Sequence, residues 1–260
     1  MAGRGARRAA PAAGRSLSQH FLRSRRLAAE LVRDAEISRR ETVLEIGAGT
    51  GQLTADLARA ARAVVAVEID AALVAELRRR FAGTNVVVVH GDALERPAVA
   101  EPFRVFANVP FHRSAETLHH LLDDPAGPLT RADLILQWGA VRKRAAVWPA
   151  TLLGVCWGAF YTFTLVRRLP AACFSPRPLV DAGLLAIERR GQPLVPVVEA
   201  LRFRRFVQAG FAVPRLREGV DAWLTPRELK RLADIYGFPR NAAPRELDVH
   251  QWAALFGAAG

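Results

Sequence analysis

Seven short runs rich in β-branched and aliphatic residues limit what this chain can fold into. They are "TVLEIG" (42–47), "AVVAVEID" (63–70), "NVVVVHGD" (85–92), "FRVFANVP" (103–110), "ADLILQW" (132–138), "YTFTLVRRL" (161–169) and "AGLLAIERR" (182–190). Helical patterns such as "QLTADLARAA" and "AALVAELRRRFA" separate the early ones. A near-continuous apolar strand must be covered on both faces, and right-handed strand–helix–strand crossovers then give an open, doubly wound parallel sheet. No long helix separates the last two runs, so an antiparallel pair is expected at one edge. Beyond residue 190 "GQPLVP" breaks the pattern, and the rest reads as short helices over 196–209, 216–222, 225–236 and 248–256. "TPREL" at 225–229 is a helix start, with Thr at the cap, Pro at the first position and Glu three residues after the Thr. The expected organisation is α/β: a basic arm at 1–15, a Rossmann-like domain at 16–190 and a small helical domain at 191–260.

Composition narrows the partners. The 260 residues are 51% apolar and carry a formal net charge of +12, which favours a polyanion, either nucleic acid or an anionic membrane surface. Residues 1–40 hold ten arginines (4, 7, 8, 15, 23, 25, 26, 33, 39, 40) against Glu30, Asp34 and Glu36. Arg142, Lys143 and Arg144 form a second cluster, and Arg202, Arg204 and Arg205 a third. Three clusters on one chain read as an RNA footprint, and arginine also stacks on unpaired bases. The uncharged stretch from Val147 to Val166 has the length of a membrane span. It contains Pro149, Gly154 and Gly158 and ends in an alternating "YTFTLV", so a buried helix followed by a buried strand is expected and no membrane association. The N-terminus lacks the apolar core of a secretory signal. Two cysteines and six histidines show no metal-ligand spacing, so no metal is expected. A cytoplasmic monomer is the default.

The chemistry sits at strand ends. "EIGAGTGQL" (45–53) follows a strand and opens a helix, and Gly47, Gly49 and Gly51 let a ligand lie on the main chain. A dinucleotide turn reads GxGxxG; this one reads GxGxG, with Glu45 just upstream. A carboxylate there suits a cationic ligand better than a pyrophosphate, and S-adenosylmethionine carries a sulfonium and an ammonium. Glu68, at the tip of the next strand, stands where a ribose presents two hydroxyls to a bidentate carboxylate. Asp70 is the other acid there, more suited to capping the helix that begins at Ala71. Asp92 in "HGDAL" can accept from the amine of an adenine, with the Ala93 N–H reaching a ring nitrogen.

The fourth strand ends in "FANVPFHRS" (106–114), where a bare asparagine closes a buried run. The lone pair of an adenine amine is delocalised into its ring. Two acceptors on its N–H bonds favour pyramidal nitrogen and free that pair for a methyl donor. Asn108 offers a side-chain carbonyl; Val109, held extended by Pro110, offers its main-chain carbonyl. Phe111 offers a face for a purine. On this reading the asparagine has no partner within the protein because its partner is the target base.

Together with "SQHFLRS" (18–24), "VEID", "GDAL" and "FSPRPLVD" (174–181), these motifs resemble the ribosomal RNA adenine N6-dimethyltransferases. That family includes the macrolide-resistance (Erm) enzymes of 23S rRNA and the housekeeping small-subunit enzymes. The resemblance implies a Rossmann-like methyltransferase dependent on S-adenosyl-L-methionine. His20 and Leu22 would border the methionine end of the cofactor, with Gly47 in its loop; Glu68 would hold ribose and Asp92 adenine. Asn108 would serve cofactor and target amine, and Phe111 and Phe174 would stack on the extruded base from its two sides. "LILQWGAVRKRAA" (134–146) and Phe at 111 are more similar to the Erm branch, which implies methylation of 23S rRNA and resistance to macrolides, lincosamides and streptogramin B. Methylation of 16S rRNA, or an RNA-binding relative without turnover, are the alternatives.

Overall fold

The computed structural model describes residues 20–95 and 101–259; the basic arm expected at 1–15 lies outside them. In chain order the elements are β1 (Phe21–Leu22), α1 (Arg25–Asp34), β2 (Thr42–Ile46), α2 (Gln52–Ala60), β3 (Ala63–Glu68), α3 (Ala71–Arg80), β4 (Val86–His90) and β5 (Phe103–Asn108). There follow α4 (Ser114–Leu122), β6 (Leu129–Gln137), α5 (Trp138–Ala145), α6 (Leu152–Gly158), β7 (Tyr161–Leu169), β8 (Phe174–Ser175) and β9 (Ala182–Arg189). The tail carries α7 (Ala200–Phe211), α8 (Leu216–Gly219), α9 (Pro226–Tyr236) and α10 (Val249–Ala258).

All seven apolar runs form one sheet, in the order β4-β3-β2-β5-β6-β9-β7. Strands β2 to β6 pair in parallel, whereas β9 is antiparallel to both β6 and β7. The antiparallel edge is therefore made by inserting β9 between β6 and β7. This leaves β7 as the rim, with alternate residues exposed along its length, so the second half of the 147–166 stretch is an edge strand and not a buried one. No helix among the described residues is long and apolar enough to cross a membrane.

Successive side chains on a strand point to opposite faces, and here they divide between two cores. Val43, Phe106 and Ile135 pack with Leu31 of α1 and Leu57 of α2. Leu44, Val105 and Leu134 pack with Leu118 of α4, Val155 of α6 and, from the tail, Phe206 and Trp252. The tail thus shares an apolar cluster with one face of the sheet. α9 starts with the capping box expected at Thr225 and Glu228.

Two features set the geometry of the site. The strand order turns outward in both directions from the β2–β5 pair, and open sheets of this kind leave a crevice at the carboxyl ends of such strands. The short β1–β8 ribbon, with Leu22 opposite Phe174, then brings the N-terminal segment over that crevice. Behind the crevice Arg104, only 4% exposed, ties α1 to the sheet by donating to the carbonyls of Ala35 and Glu36, to Glu41 and to Asp133 at 3.0 Å. Asp133 is 1% exposed and also paired with Arg131. Removing one member of a buried ionic cluster strands the others. Arg104→Ala is therefore expected to cost about 3–5 kcal/mol of stability in urea unfolding.

Candidate active site

At the end of β2 the chain turns through Gly47, Gly49 and Gly51, with φ of +73°, +57° and +75°. A Cβ on Gly49 would lie 2.8 Å from the Phe21 ring, and one on Gly51 2.7 Å from Leu77, so these two glycines serve internal packing. Gly47 is exposed, with nothing within 4 Å of a Cβ position. It is the glycine that lays bare main chain open to a ligand.

Glu68 holds this loop. Its Oε2 accepts from Gly49 N–H at 2.8 Å, while Oε1 accepts from Ile69 and Asp70 N–H at 2.9 and 3.0 Å. A carboxylate has about four acceptor positions, so roughly one remains, on Oε2. Most of the acceptor capacity that the sequence reading assigned to a ribose is therefore taken up by the main chain. Asp70 caps α3 through Ala72 N–H at 2.8 Å.

Glu45 departs further from expectation. It is 1% exposed, and Oε2 has no hydrogen-bond partner among the described residues. Burial pushes its carboxyl up to about 8, Thr54 offsets part of that, and the charge of Glu68 adds to it. At neutral pH the group is mainly uncharged, so it is not the anion that attracts a cationic ligand.

Asn108 ends β5, half-buried, and its Nδ2 donates to the main-chain oxygen of His20 at 2.7 Å. The amide is therefore paired within the protein, contrary to the reading of it as free for the base. Only the amino side of an amide can donate to a carbonyl, so this bond fixes which way the group faces. Oδ1 remains, with no donor to it among the described residues. His20 is itself held, Nδ1 lying 2.7 Å from the Pro176 carbonyl, and its ring is tilted 47° against Phe111 at 5.5 Å between centroids. Val109 N–H donates to Ile135 O at 3.1 Å, and Pro110 at φ −54° carries the chain into a 3-10 turn, Phe111–Arg113.

Two adjoining cavities join these groups. The first, about 60 Å³, is lined by His20, Leu22, Gly47, Glu68, Asn108 and Phe111, together with Phe21 and Thr50. The second, about 250 Å³, is lined by Gly47, Glu68, Asp92, Ala93, Val109 and Arg113 among others. The first is the narrower lobe of the cleft and the second the wider one. Asp92 accepts from Leu94 N–H at 3.0 Å and lies 2.9 Å from Arg113. Sequence patterns did not reveal Phe21 or Arg113, because neither shares a motif with its partner.

Phe174 is the clearest correction. It is 0% exposed, opposite Leu22 in the β1–β8 ribbon and part of the core cluster against which Phe111 also packs. An aromatic enclosed on all sides offers no face to a base. The third arginine cluster is also largely spoken for: Arg204 pairs with Asp123 at 3.3 Å, and Arg202 meets Glu199, the Ala259 carbonyl and the rings of Trp223 and Phe256. Arg23, Arg25, Arg142 and Lys143 are exposed. No His, Cys, Asp and Glu side chains among the described residues converge as a metal would require.

A crevice at the carboxyl ends of parallel strands, with a glycine loop, acids at two neighbouring strand tips and an amide oxygen that accepts from no described donor, is the ligand-binding arrangement of a doubly wound α/β protein. The ribosomal RNA adenine dimethylase family model matches residues 12–225, and the chain belongs to that family. It is 38% identical over 65% of its length to an rRNA adenine N-6-methyltransferase of Corynebacterium diphtheriae, of which it spans 66%. It is 35% identical over 95% of its length to the mycinamicin-resistance protein MyrB of Micromonospora griseorubida, spanning 79% of that protein. A ribosomal RNA small subunit methyltransferase A of Rhodococcus opacus is 32% identical, with 93% of this chain and 87% of that protein covered. Among solved structures, the 23S rRNA methyltransferase ErmE superimposes with a TM-score of 0.82 at 27% identity, covering 92% of this chain and 98% of that one.

The protonation of Glu45 has a measurable consequence. A carboxyl whose pKa is raised on folding stabilises the native state below its unfolded value, near 4.5, and that stability is lost as pH rises through about 8. From pH 6 to pH 8 this one group is expected to remove on the order of 1–3 kcal/mol. Urea unfolding of Glu45→Gln across that range is expected to show the slope flattened.

Proposed function

We propose that the cleft binds S-adenosyl-L-methionine and directs its methyl group to N6 of an adenine in ribosomal RNA, with 23S rRNA favoured. The observation that carries the reading is the Asn108 amide. Its amino side is held by the His20 carbonyl at 2.7 Å, leaving an acceptor at the end of β5 beside Gly47 and Phe111. Bound there, S-adenosylmethionine supplies an electrophilic methyl group. The residues present fit it: an open main chain at Gly47, one acceptor position left on Glu68, and Asp92 with the Ala93 main chain in the wider lobe.

The protein's part is positioning. Asn108 Oδ1 and the Val109 carbonyl accept from the two N–H bonds of the target amine, which localises the nitrogen lone pair out of the ring. Phe111, half-buried and braced by His20, supports the purine plane on one face only, since Phe174 is enclosed. Water takes the proton released, so no side chain has to act as a strong base. Preorganised dipoles of this kind account for much of the rate in such sites.

Arg23 and Arg25 lie next to the segment that borders the cleft, and with Arg142 and Lys143 they suit a phosphate backbone. The likeness to ErmE and MyrB favours the large-subunit RNA, with macrolide, lincosamide and streptogramin B resistance as the consequence.

Labelled S-adenosylmethionine incubated with naked 23S or 16S rRNA, followed by mapping, tests this. Label on a 23S adenine is the expected result; label on 16S alone moves the target to the small subunit, and none on either RNA removes the enzyme reading. Asn108→Ala is expected to lower transfer at least about a hundredfold while S-adenosylhomocysteine affinity changes by less than about threefold in calorimetry.

A further inference from the structure

Arg113 stands two residues past Phe111, yet its guanidinium reaches the end of β4. It lies 2.9 Å from Asp92 Oδ2, and its Nε and Nη2 donate to the two oxygens of Glu116 at 3.0 and 3.1 Å. The Asp92 Oδ1 accepts from Leu94 N–H at 3.0 Å. Each Asp92 oxygen thus has one donor, which leaves each with one acceptor position. Asp92, Ala93 and Arg113 line the same wide lobe of the cleft.

We propose that Arg113 is a positioning residue for cofactor recognition: it fixes the rotation of the Asp92 carboxylate so that a free lone pair meets the exocyclic amine of the cofactor's adenine. The proposal rests on the reading of the cleft as an S-adenosylmethionine site. A carboxylate turns about its last bond, and a partner on each oxygen restricts that rotation more tightly than a partner on one. The Leu94 N–H holds one; Arg113 holds the other, and the fork to Glu116 holds Arg113. The planar guanidinium keeps such geometry with little further loss of freedom, which a lysine ammonium does not. Burial raises the Asp92 pKa and the Arg113 and Leu94 hydrogen bonds outweigh it, so the group stays ionised and acceptor-only. Because Arg113 closes the turn that begins at Phe111, the same side chain links the adenine end of the cleft to the surface that receives the target base.

The test is calorimetry with two ligands, S-adenosylhomocysteine and its analogue with hydrogen in place of the purine 6-amino group. Wild type is expected to prefer the amino ligand by about tenfold or more, the worth of a hydrogen bond to a charged group. In Arg113→Ala that preference should fall below about threefold through loss of amino-ligand affinity alone, with the hydrogen analogue bound as in wild type. Arg113→Lys should recover part of the preference. Equal weakening of both ligands, or a preference unchanged in Arg113→Ala, overturns the proposal. If Arg113→Ala does not unfold cooperatively, Glu116→Gln, on an exposed side chain, decides: a reduced preference supports the role and an unchanged one ends it. Wild type binding neither ligand overturns the cofactor reading itself, whereas wild-type preference retained in every variant overturns only the role of Arg113.

Discussion

One hydrogen bond sets the character of the cleft, from Asn108 Nδ2 to the main-chain oxygen of His20. It links the end of a central strand to the N-terminal segment, which the β1–β8 ribbon and the His20–Pro176 contact fix to the 174–181 motif. Three stretches far apart in the chain therefore converge on one amide. An amide with its donor committed to a carbonyl presents its acceptor outward, and an outward acceptor is what an amine requires. On the proposed function, the asparagine is half anchor and half site.

The acids around the cleft follow the same economy. Glu68 spends most of its acceptor capacity on the glycine loop and the turn after β3, Asp92 divides its oxygens between Leu94 and Arg113, and Glu45 is buried and mainly neutral. No carboxylate is left wholly free for a ligand. What remains are single lone pairs with fixed directions, so recognition depends on where donors lie on the ligand more than on net charge. The chain that carries this arrangement belongs to the ribosomal RNA adenine dimethylase family.

The strands could be read in the sequence because each is apolar along its length, and the cleft could be placed because glycines and acids recur at strand ends. What could not be read depends on contacts between distant segments. Nothing local says that β9 inserts between β6 and β7, because strand order is set by pairing between segments far apart in the chain. Phe174 looked like a second stacking surface because it stands in a motif, but its pairing opposite Leu22 turns it into the core. Glu45 looked like an anion because sequence carries no record of burial. Arg202 and Arg204 looked like free cations; Glu199 lies only three residues before Arg202, but Asp123, Trp223 and Phe256 come from other parts of the fold. Arg113 shares no spacing rule with Asp92, and only the fold joins them.

The most direct measurement is a crystal structure with S-adenosylhomocysteine and adenosine both bound. The account predicts the adenosine N6 at about 3 Å from Asn108 Oδ1 and from the Val109 carbonyl, the Asn108 amino group still on His20 and the purine against Phe111. A cleft in which the Asn108 amide has turned its amino group toward the base, or in which N6 points away from both carbonyls, would contradict it.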